Sequence, residues 1–330
     1  MVLVTGGLGF IGSHTVIELI ENGFDVVIID NLSNSERNVL DKLKQITGKD
    51  IKFYENDVCD KEALRKIFRD NKIDSVIHFA GYKAVGESVL KPLKYYRNNI
   101  DSTLTLLEVM EEFNVYNLIF SSSATVYGKP KSLPIKEDFP LSTTNPYGTT
   151  KLFIENILQD MYISNNKWNI TILRYFNPIG AHKSGLIGEN PKDIPNNLMP
   201  YIVKVANGEL QELSIFGDDY DTYDGTGVRD YIHVVDLAHG HVLALKNKNL
   251  GIKIYNLGTG HGTSVLDLVN TFERVNNVKI KKKITNRRPG DIDACYASCD
   301  KALEELGFKA QYDVETMCLD AYNFIKKNTK

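Results

Sequence analysis

Tyr147 and Lys151 stand four residues apart in the run Tyr147-Gly148-Thr149-Thr150-Lys151, which places a phenol and an ammonium one turn apart on one helix face. Pro146, just before them, suits the first position of that helix. A free tyrosine, with a pKa of about 10, is a poor base at neutral pH. A neighbouring cation lowers that value, and the phenol becomes an acid/base for a hydroxyl. Ser121-Ser122-Ser123-Ala124-Thr125 adds hydroxyls at the end of a strand-like run, where Ser123 could bond the reacting oxygen and order the tyrosine. Taken singly, these motifs mean little. Such a serine run reads as a turn or a helix cap, and the Tyr/Lys pair as a packed tyrosine beside a surface lysine.

A second group of residues is suited to holding a dinucleotide. Thr5-Gly6-Gly7-Leu8-Gly9-Phe10-Ile11-Gly12 lies after a strand-like run and before a helical one. Glycines at 6, 9 and 12 permit a tight turn, close backbone approach to a pyrophosphate, and close helix–strand packing. The helix N-terminus then offers N–H groups and the positive end of its dipole to phosphate. The spacing is G-x-x-G-x-x-G rather than G-x-G-x-x-G. Asp30, after the next strand-like run, is placed to accept from a ribose 2′-hydroxyl and to repel a 2′-phosphate, which favours NAD over NADP.

These residues need a scaffold, and the pattern supplies one. Val2–Thr5, 25–29, 51–54, 75–79 and 117–121 read as buried strands, with helical stretches such as 11–22 and Lys61–Asp70 between them. Strands and helices in that alternation imply βαβ crossovers and a parallel sheet covered on both faces. Runs at 170–174 and 253–257 read as further strands of the same sheet. The expected fold is α/β: a Rossmann-type doubly wound parallel sheet with a smaller mixed α/β lobe. After about Asn177, Pro178, Pro191, Pro195 and Pro200 break the chain into short pieces, and 217–227 reads as an acidic, glycine-bearing loop. The expected division is 1–176 with 229–258 returning to it, and 177–228 with 259–330 as the second lobe. In such a sheet, ligands are expected at the carboxyl ends of the strands.

Composition narrows the function class. The chain has 330 residues, 42% hydrophobic and 25% charged, and a net charge of −3 from 39 basic and 42 acidic side chains. Such a balance gives no basic field for nucleic acid or membranes, so phosphate must be gripped locally. No apolar run approaches the roughly 18 residues needed to span a bilayer, and the first strand begins at the second residue, leaving no room for a signal peptide. Cys59, Cys295, Cys299 and Cys318 are too few for a disulfide scaffold. Cys295 and Cys299 lack C-x-x-C zinc spacing. The expectation is a soluble cytoplasmic enzyme without a metal.

The Gly-rich turn, the serine run and the Tyr/Lys pair together resemble the short-chain dehydrogenase/reductase superfamily in its extended branch. Further segments make the likeness specific. They are 78–81 (His-Phe-Ala-Gly) with 83–88 (Lys-Ala-Val-Gly-Glu-Ser), 126–128 (Val-Tyr-Gly), 174–178 (Arg-Tyr-Phe-Asn-Pro), 194–201 (Ile-Pro-Asn-Asn-Leu-Met-Pro-Tyr), 224–233 (Asp-Gly-Thr-Gly-Val-Arg-Asp-Tyr-Ile-His) and 287–291 (Arg-Arg-Pro-Gly-Asp). Over essentially its whole length the chain resembles the UDP-galactose (UDP-glucose) 4-epimerase family.

That resemblance implies Ser123, Tyr147 and Lys151 as the catalytic trio. It implies cofactor contacts, beside Gly6, Gly9 and Gly12, at Phe10, Ile11, Asp30, Asn31, Asn34, Ser35, Asp57, Val58, Phe79, Ala80, Lys83, Asn98, Tyr147, Lys151 and Phe176. Substrate contacts are implied at Lys83, Ser123, Tyr147, Asn177, Asn197, Leu198, Phe216, Arg229, Val265, Arg288, Asp291 and Cys295. Two arginines among these suit bidentate clamping of a diphosphate. The implied reaction is redox-neutral 4-epimerisation of UDP-glucose and UDP-galactose: Tyr147 takes the 4-hydroxyl proton as C4 gives a hydride to tightly held NAD, and the 4-keto sugar turns over before the hydride returns. Such chemistry serves galactose and wider carbohydrate metabolism.

Two rival readings share the fold. A nucleotide-sugar 4,6-dehydratase resembles T-D-E-V-Y-G at this loop, where this chain has Ala124 and Thr125 and so lacks the carboxylate pair that performs elimination. A non-catalytic NAD-binding protein has no need of Ser123, Tyr147 and Lys151.

Side features have plainer readings. His239 and His241, two apart on a helical stretch, face different directions, and with His233 they read as core or solvated histidines rather than metal ligands. The helical stretches 92–112 and 147–162 carry excess apolar surface, which the resemblance assigns to a homodimer built as a four-helix bundle. Cys295 falls where some family members carry a tyrosine. The smaller side chain predicts room for an acetamido group, hence activity on UDP-GlcNAc and UDP-GalNAc as well.

Overall fold

Val2–Thr5, Val26–Asp30 and Ser75–His78 are buried at every position, the signature of strands covered on both faces. The computed structural model describes residues 1–330 except 192–194, 196, 248–249, 289–290 and 329–330. Ile194, Asn196, Pro289 and Gly290, quoted above within longer segments, lie outside the described residues.

In chain order the elements run β1 (Val2–Thr5), α1 (Phe10–Glu21), β2 (Val26–Asp30), α2 (Asn38–Thr47), β3 (Lys52–Glu55), α3 (Lys61–Asp70), β4 (Ser75–His78), α4 (Val85–Leu90), α5 (Pro92–Glu112), β5 (Asn117–Ser123), a 3-10 turn (Ala124–Tyr127), α6 (Pro146–Ser164) and β6 (Asn169–Tyr175). The chain continues through β7 (Asn177–Ile179), α7 (Leu198–Ala206), β8 (Leu213–Phe216), β9 (Val228–Arg229), β10 (Tyr231–His233), α8 (Val234–Lys246), β11 (Gly251–Leu257), β12 (Thr263–Ser264), α9 (Val265–Asn276), β13 (Lys282–Thr285), β14 (Ala294–Cys295), α10 (Asp300–Leu306) and α11 (Val314–Asn328). Most expected strands are found within one or two residues of their expected ends. β2 runs to Asp30 itself rather than stopping before it.

The described chain divides into two units. The first comprises 1–128, 141–175 and 238–255. Its seven-stranded sheet has the order β11-β6-β5-β4-β1-β2-β3, with parallel pairing from β3 through β6. The order reverses between β1 and β4, the switch point at which a doubly wound sheet opens a crevice beyond its carboxyl edge. Leu3, Val27, Val76, Leu118, Ile170 and Trp168 anchor its core together with Leu106, Met110 and Leu158 of α5 and α6.

The second unit comprises 129–140, 176–237 and 256–330. It contains three small sheets, β10-β7, β12-β9-β14 and β13-β8, around a core of Met199, Ile202, Ile215, Leu268, Phe272 and Met317. The expected division differs at 129–140 and 229–237, and by one and three residues at Phe176 and 256–258. Segment 129–140 joins this unit because the Ile135 N–H donates to the Tyr296 carbonyl at 2.9 Å and the Ser298 N–H to the Ile135 carbonyl at 2.7 Å. Segment 229–237 joins it because Tyr231–His233 pairs in parallel with Asn177–Ile179. The acidic loop after Gly217 is ordered by its own side chains: Asp224 Oδ1 accepts from the Thr226 N–H at 2.9 Å and its hydroxyl at 2.8 Å, while Ser264 donates to Asp224 Oδ2.

Candidate functional site

The dinucleotide cradle follows from what the glycines exclude. Gly6 adopts φ +67, and a Cβ there would press on the Ala80 backbone at 3.0 Å. At Gly12 a Cβ would drive into the Gly6 carbonyl oxygen, well inside contact distance. Helix α1 starts from Gly9 with no side-chain cap and no acidic residue in its first turn. Its opening N–H groups, at Phe10 and Ile11, have no partner within the helix and lie at the positive end of its dipole, which fits a pyrophosphate.

Asp30 is buried at the carboxyl end of β2 and organises the surroundings. Its Oδ2 accepts from the Leu8 N–H at 3.1 Å, and its Oδ1 from the Leu32 N–H at 2.9 Å and the Ser35 hydroxyl at 2.8 Å. A carboxylate has further lone pairs for a ribose hydroxyl. Beside it, Asn31 donates to Asp57 at 2.8 Å; Val58 is buried and Asn34 is exposed. Phe79 and Ala80 follow β4, with N–H groups donating to the Thr5 carbonyl at 3.1 Å and hydroxyl at 3.2 Å. Asn98 on α5 donates to Asn99 at 3.0 Å, and Lys83 lies in the segment leading to α4. The glycine turn, Asp30 and the Phe79–Ala80 pair thus follow the carboxyl ends of β1, β2 and β4, and Asp57 and Val58 follow β3. Phe176 belongs to the second unit, where its N–H donates to the Leu257 carbonyl at 3.2 Å.

Ser123 ends β5 and caps the 3-10 turn, its hydroxyl accepting from the Thr125 N–H at 3.2 Å and the Thr125 hydroxyl at 3.0 Å. Asn145 caps α6 by accepting from the Gly148 N–H at 2.9 Å, with Pro146 in the first turn, so Tyr147 and Lys151 emerge from one helix face as expected. Lys151 is buried at 6% exposure, and its Nζ donates to the Ser121 carbonyl at 2.6 Å.

The electrostatics correct one expectation. The Lys151 ammonium sits 6.0 Å from the centre of the Tyr147 ring and 4.9 Å from that of Phe120, and it does not lower the Tyr147 pKa. Burial pushes the Tyr147 phenol up, partly opposed by a hydrogen bond with Ser123. Burial also pulls Lys151 down to about 8, opposed by the negative charge of Glu155. Desolvation dominates at both groups because each charged form loses water.

In the second unit, Arg229 and Cys295 are register partners in the β12-β9-β14 sheet. Arg229 Nη1 donates to the Val228 and Ile292 carbonyls, both at 2.9 Å, and Nη2 lies 3.7 Å from Asp291. The Arg288 guanidinium stacks 4.2 Å from the centre of the Phe216 ring, and the Asp291 N–H donates to the Arg288 carbonyl at 3.2 Å. The Val265 N–H, opening α9, donates to the Gly227 carbonyl at 3.1 Å. Phe216, Arg229, Val265, Arg288, Asp291 and Cys295 therefore form one connected group. Asn177 opens β7, bonded to the Asp230 carbonyl at 2.9 Å. Asn197 and Leu198 stand at the start of α7, where Asn197 donates to Glu189 at 2.8 Å. Burial lifts the Cys295 thiol to about 11, so it is a neutral, small side chain at physiological pH.

The sequence reading missed two groups. Asp230, fully buried, accepts from the Thr259 N–H (2.8 Å) and hydroxyl (2.7 Å) and from the Gly260 and Ala297 N–H groups (both 3.1 Å). No local spacing announces it, because its partners are tens of residues away. Glu155 pairs with Arg174 in full burial. Its spacing, one turn beyond Lys151, was visible in the sequence. The histidines take the plainer reading: His239 is 46% exposed beside Glu18, and His241 is buried against Phe79 and Tyr175.

Comparison with known proteins gives the context. A family model described as GDP-mannose 4,6 dehydratase matches residues 3–321. The chain is 58% identical to a UDP-glucose 4-epimerase of Haemophilus influenzae, covering 100% of this chain and 98% of that protein. It is 56% identical to one of Bacillus subtilis, covering 99% and 97%. A solved structure of UDP-glucose 4-epimerase from Bifidobacterium longum, in complex with NAD+ and UDP, matches with a TM-score of 0.96 at 56% identity, covering 99% of this chain and 98% of that one.

Proposed function

The chain belongs to the UDP-glucose 4-epimerase family, within the extended short-chain dehydrogenase/reductase superfamily, and from that premise we propose how its residues interconvert UDP-glucose and UDP-galactose. A bound NAD would supply the hydride acceptor and donor that inversion at C4 of the sugar requires. The glycine cradle and the start of α1 hold its pyrophosphate, and Asp30 its ribose. Tyr147 takes the proton of the 4-hydroxyl and gives it back, with Ser123 bonded to the same oxygen and Lys151 holding positive charge nearby. Arg229 and Arg288 hold the diphosphate, Phe216 backs Arg288, and Asn177, Asn197, Leu198, Val265 and Asp291 complete the uridine side. Tight grip on UDP with loose contact to the sugar lets the 4-keto ring turn over while tethered.

The observation that carries the reading is the Ser123–Tyr147–Lys151 constellation at the ends of β5 and α6, with Ala124 and Thr125 in the intervening turn. The family model is described by a 4,6-dehydratase, but elimination needs an acid and a base where this chain has a methyl and a hydroxyl. A pure NAD-binding role leaves the buried lysine beside a tyrosine without purpose.

Three finer points belong to this reading. The small, neutral Cys295 beside Arg229 leaves space for an acetamido group, so the enzyme also acts on UDP-GlcNAc and UDP-GalNAc. Leu90, Leu93 and Phe153, at 81%, 77% and 46% exposure on α4, α5 and α6, form the seam of a homodimer. Among the described residues no helix is long and apolar enough to cross a membrane, in keeping with work in the cytoplasm. The test is to incubate purified protein, without added cofactor, with UDP-galactose and separately with UDP-GalNAc, then resolve the products. Conversion of both supports the full reading, and conversion of UDP-galactose alone removes the acetamido claim. No conversion of either, even with NAD supplied, removes the epimerase assignment of these residues.

A further inference from the structure

Beneath the trio lies a buried ion pair that the reaction as described does not use. Glu155 follows Tyr147 and Lys151 by two turns and one turn on α6. Its Oε1 accepts from the Ser122 hydroxyl at 2.5 Å and from Arg174 Nε at 3.1 Å, and its Oε2 from Arg174 Nη2 at 2.7 Å. Arg174 is the register partner of Ser122 across β5 and β6. Its Nη1 donates to the Tyr127 hydroxyl at 2.8 Å, and its guanidinium lies over the Tyr127 ring at 4.8 Å. All four side chains are at most 1% exposed.

A pair so deeply buried is a poor investment in stability. Stripping water from each ion costs several kcal/mol, and packed apolar side chains of the same volume often stabilise more. What a bidentate guanidinium–carboxylate fork supplies is direction. This fork joins four elements at once: α6, β5, β6 and the 3-10 turn. Ser123 is covalently next to the Ser122 that it holds, and the Lys151 ammonium bonds the Ser121 carbonyl next along the same strand.

We propose that Glu155 and Arg174 are positioning residues: the pair fixes the Tyr147/Lys151 face of α6 against the Ser123 end of β5, and its carboxylate lends negative charge to the Lys151 ammonium. The proposal rests on the reading of Ser123, Tyr147 and Lys151 given above. Other groups also surround that ammonium. Tyr147 shares its helix, β5 brings the Phe120 ring, and β4 brings His78, which burial and the Lys151 charge hold neutral with a pKa of about 3. Tyr175 of β6 packs edge-on against His241, and Tyr95 of α5 donates to Glu87 of α4 at 3.0 Å. Among the groups that shift Lys151, Glu155 supplies the negative charge.

The experiment compares wild type, Glu155→Gln and the charge-neutral double variant Glu155→Gln/Arg174→Met, following kcat and KM for UDP-galactose against pH together with the melting temperature. The expected result is a kcat lower by about tenfold or more with KM unchanged, and an alkaline fall in kcat that moves to lower pH because Lys151 gives up its proton more readily. A purely structural pair would change the melting temperature and leave the pH profile in place; that result, or a kcat within about twofold of wild type in a folded variant, overturns the proposal. Failure of both variants to fold overturns it too, since it assigns the pair to stability. Tyr147→Phe separates the two levels. If it keeps turnover, the assignment of the trio has failed; if it abolishes turnover while the Glu155 variants keep the wild-type profile, only the positioning role has failed.

Discussion

Lys151 donates to the carbonyl oxygen of Ser121 at 2.6 Å, so the ammonium of the helix is anchored to the strand that carries Ser123 rather than to the phenol of Tyr147. The lysine is therefore a fixed charge beneath the site, and its protonation responds to burial more than to the tyrosine. That arrangement has a measurable signature in stability.

Lys151 has its pKa pulled from 10.5 to about 8 in the folded protein. Between those values the unfolded chain binds a proton that the native state does not, so stability rises with pH in that window. Below it, the buried charge costs on the order of 3 kcal/mol. Lys151→Met removes that cost but orphans the Ser121 carbonyl, worth about 1–3 kcal/mol. The variant is expected to lose turnover yet melt close to wild type at neutral pH. Wild type should then gain on it as pH rises from 8 to 10.5 in denaturant titrations.

Gly12→Ala places a methyl group against the Gly6 carbonyl and the Gly7 backbone. The turn must open, moving the N–H groups at the start of α1 away from a pyrophosphate. NAD affinity should fall by at least about tenfold, read by titrating the cofactor into protein stripped of it. Unchanged affinity would remove the cradle from the phosphate site.

Cys295→Tyr fills the space beside Arg229 with a phenol ring. Turnover of UDP-GalNAc should disappear while UDP-galactose turnover survives, as measured by product separation on each substrate. Equal loss on both would mean that the ring disturbs Arg229 and that the position does not select.

Gly258→Ala tests the buried hub of the second unit. A Cβ at 258 would clash with Asp230 Oδ2 and crowd Ala297 at 3.1 Å. Asp230 would have to surrender some of its four bonds, so a loss of about 2–3 kcal/mol is expected in chemical denaturation. A loss under about 0.5 kcal/mol would show that the loop relaxes freely.

Much of this was legible in the amino-acid order because the decisive signals are local. The glycines at 6, 9 and 12, Asp30 at a strand end, and Tyr147 four residues before Lys151 depend on backbone freedom, period and helical spacing, and these hold wherever the segment sits. The alternation of buried strands with helices fixed the doubly wound sheet for the same reason. Tertiary structure alone decided what these groups become in company. Burial, a property of the whole chain, sent the Tyr147 phenol up and the Lys151 ammonium down, against the simple expectation from a cation nearby. Partners distant in sequence met in space: Glu155 with Ser122 and Arg174, Asp230 with Thr259 and Ala297, and Ile135 with Tyr296, which carried 129–140 into the second unit. Spacing along the chain governs which face a side chain leaves by; desolvation and long-range hydrogen bonding depend on what the fold brings to that face.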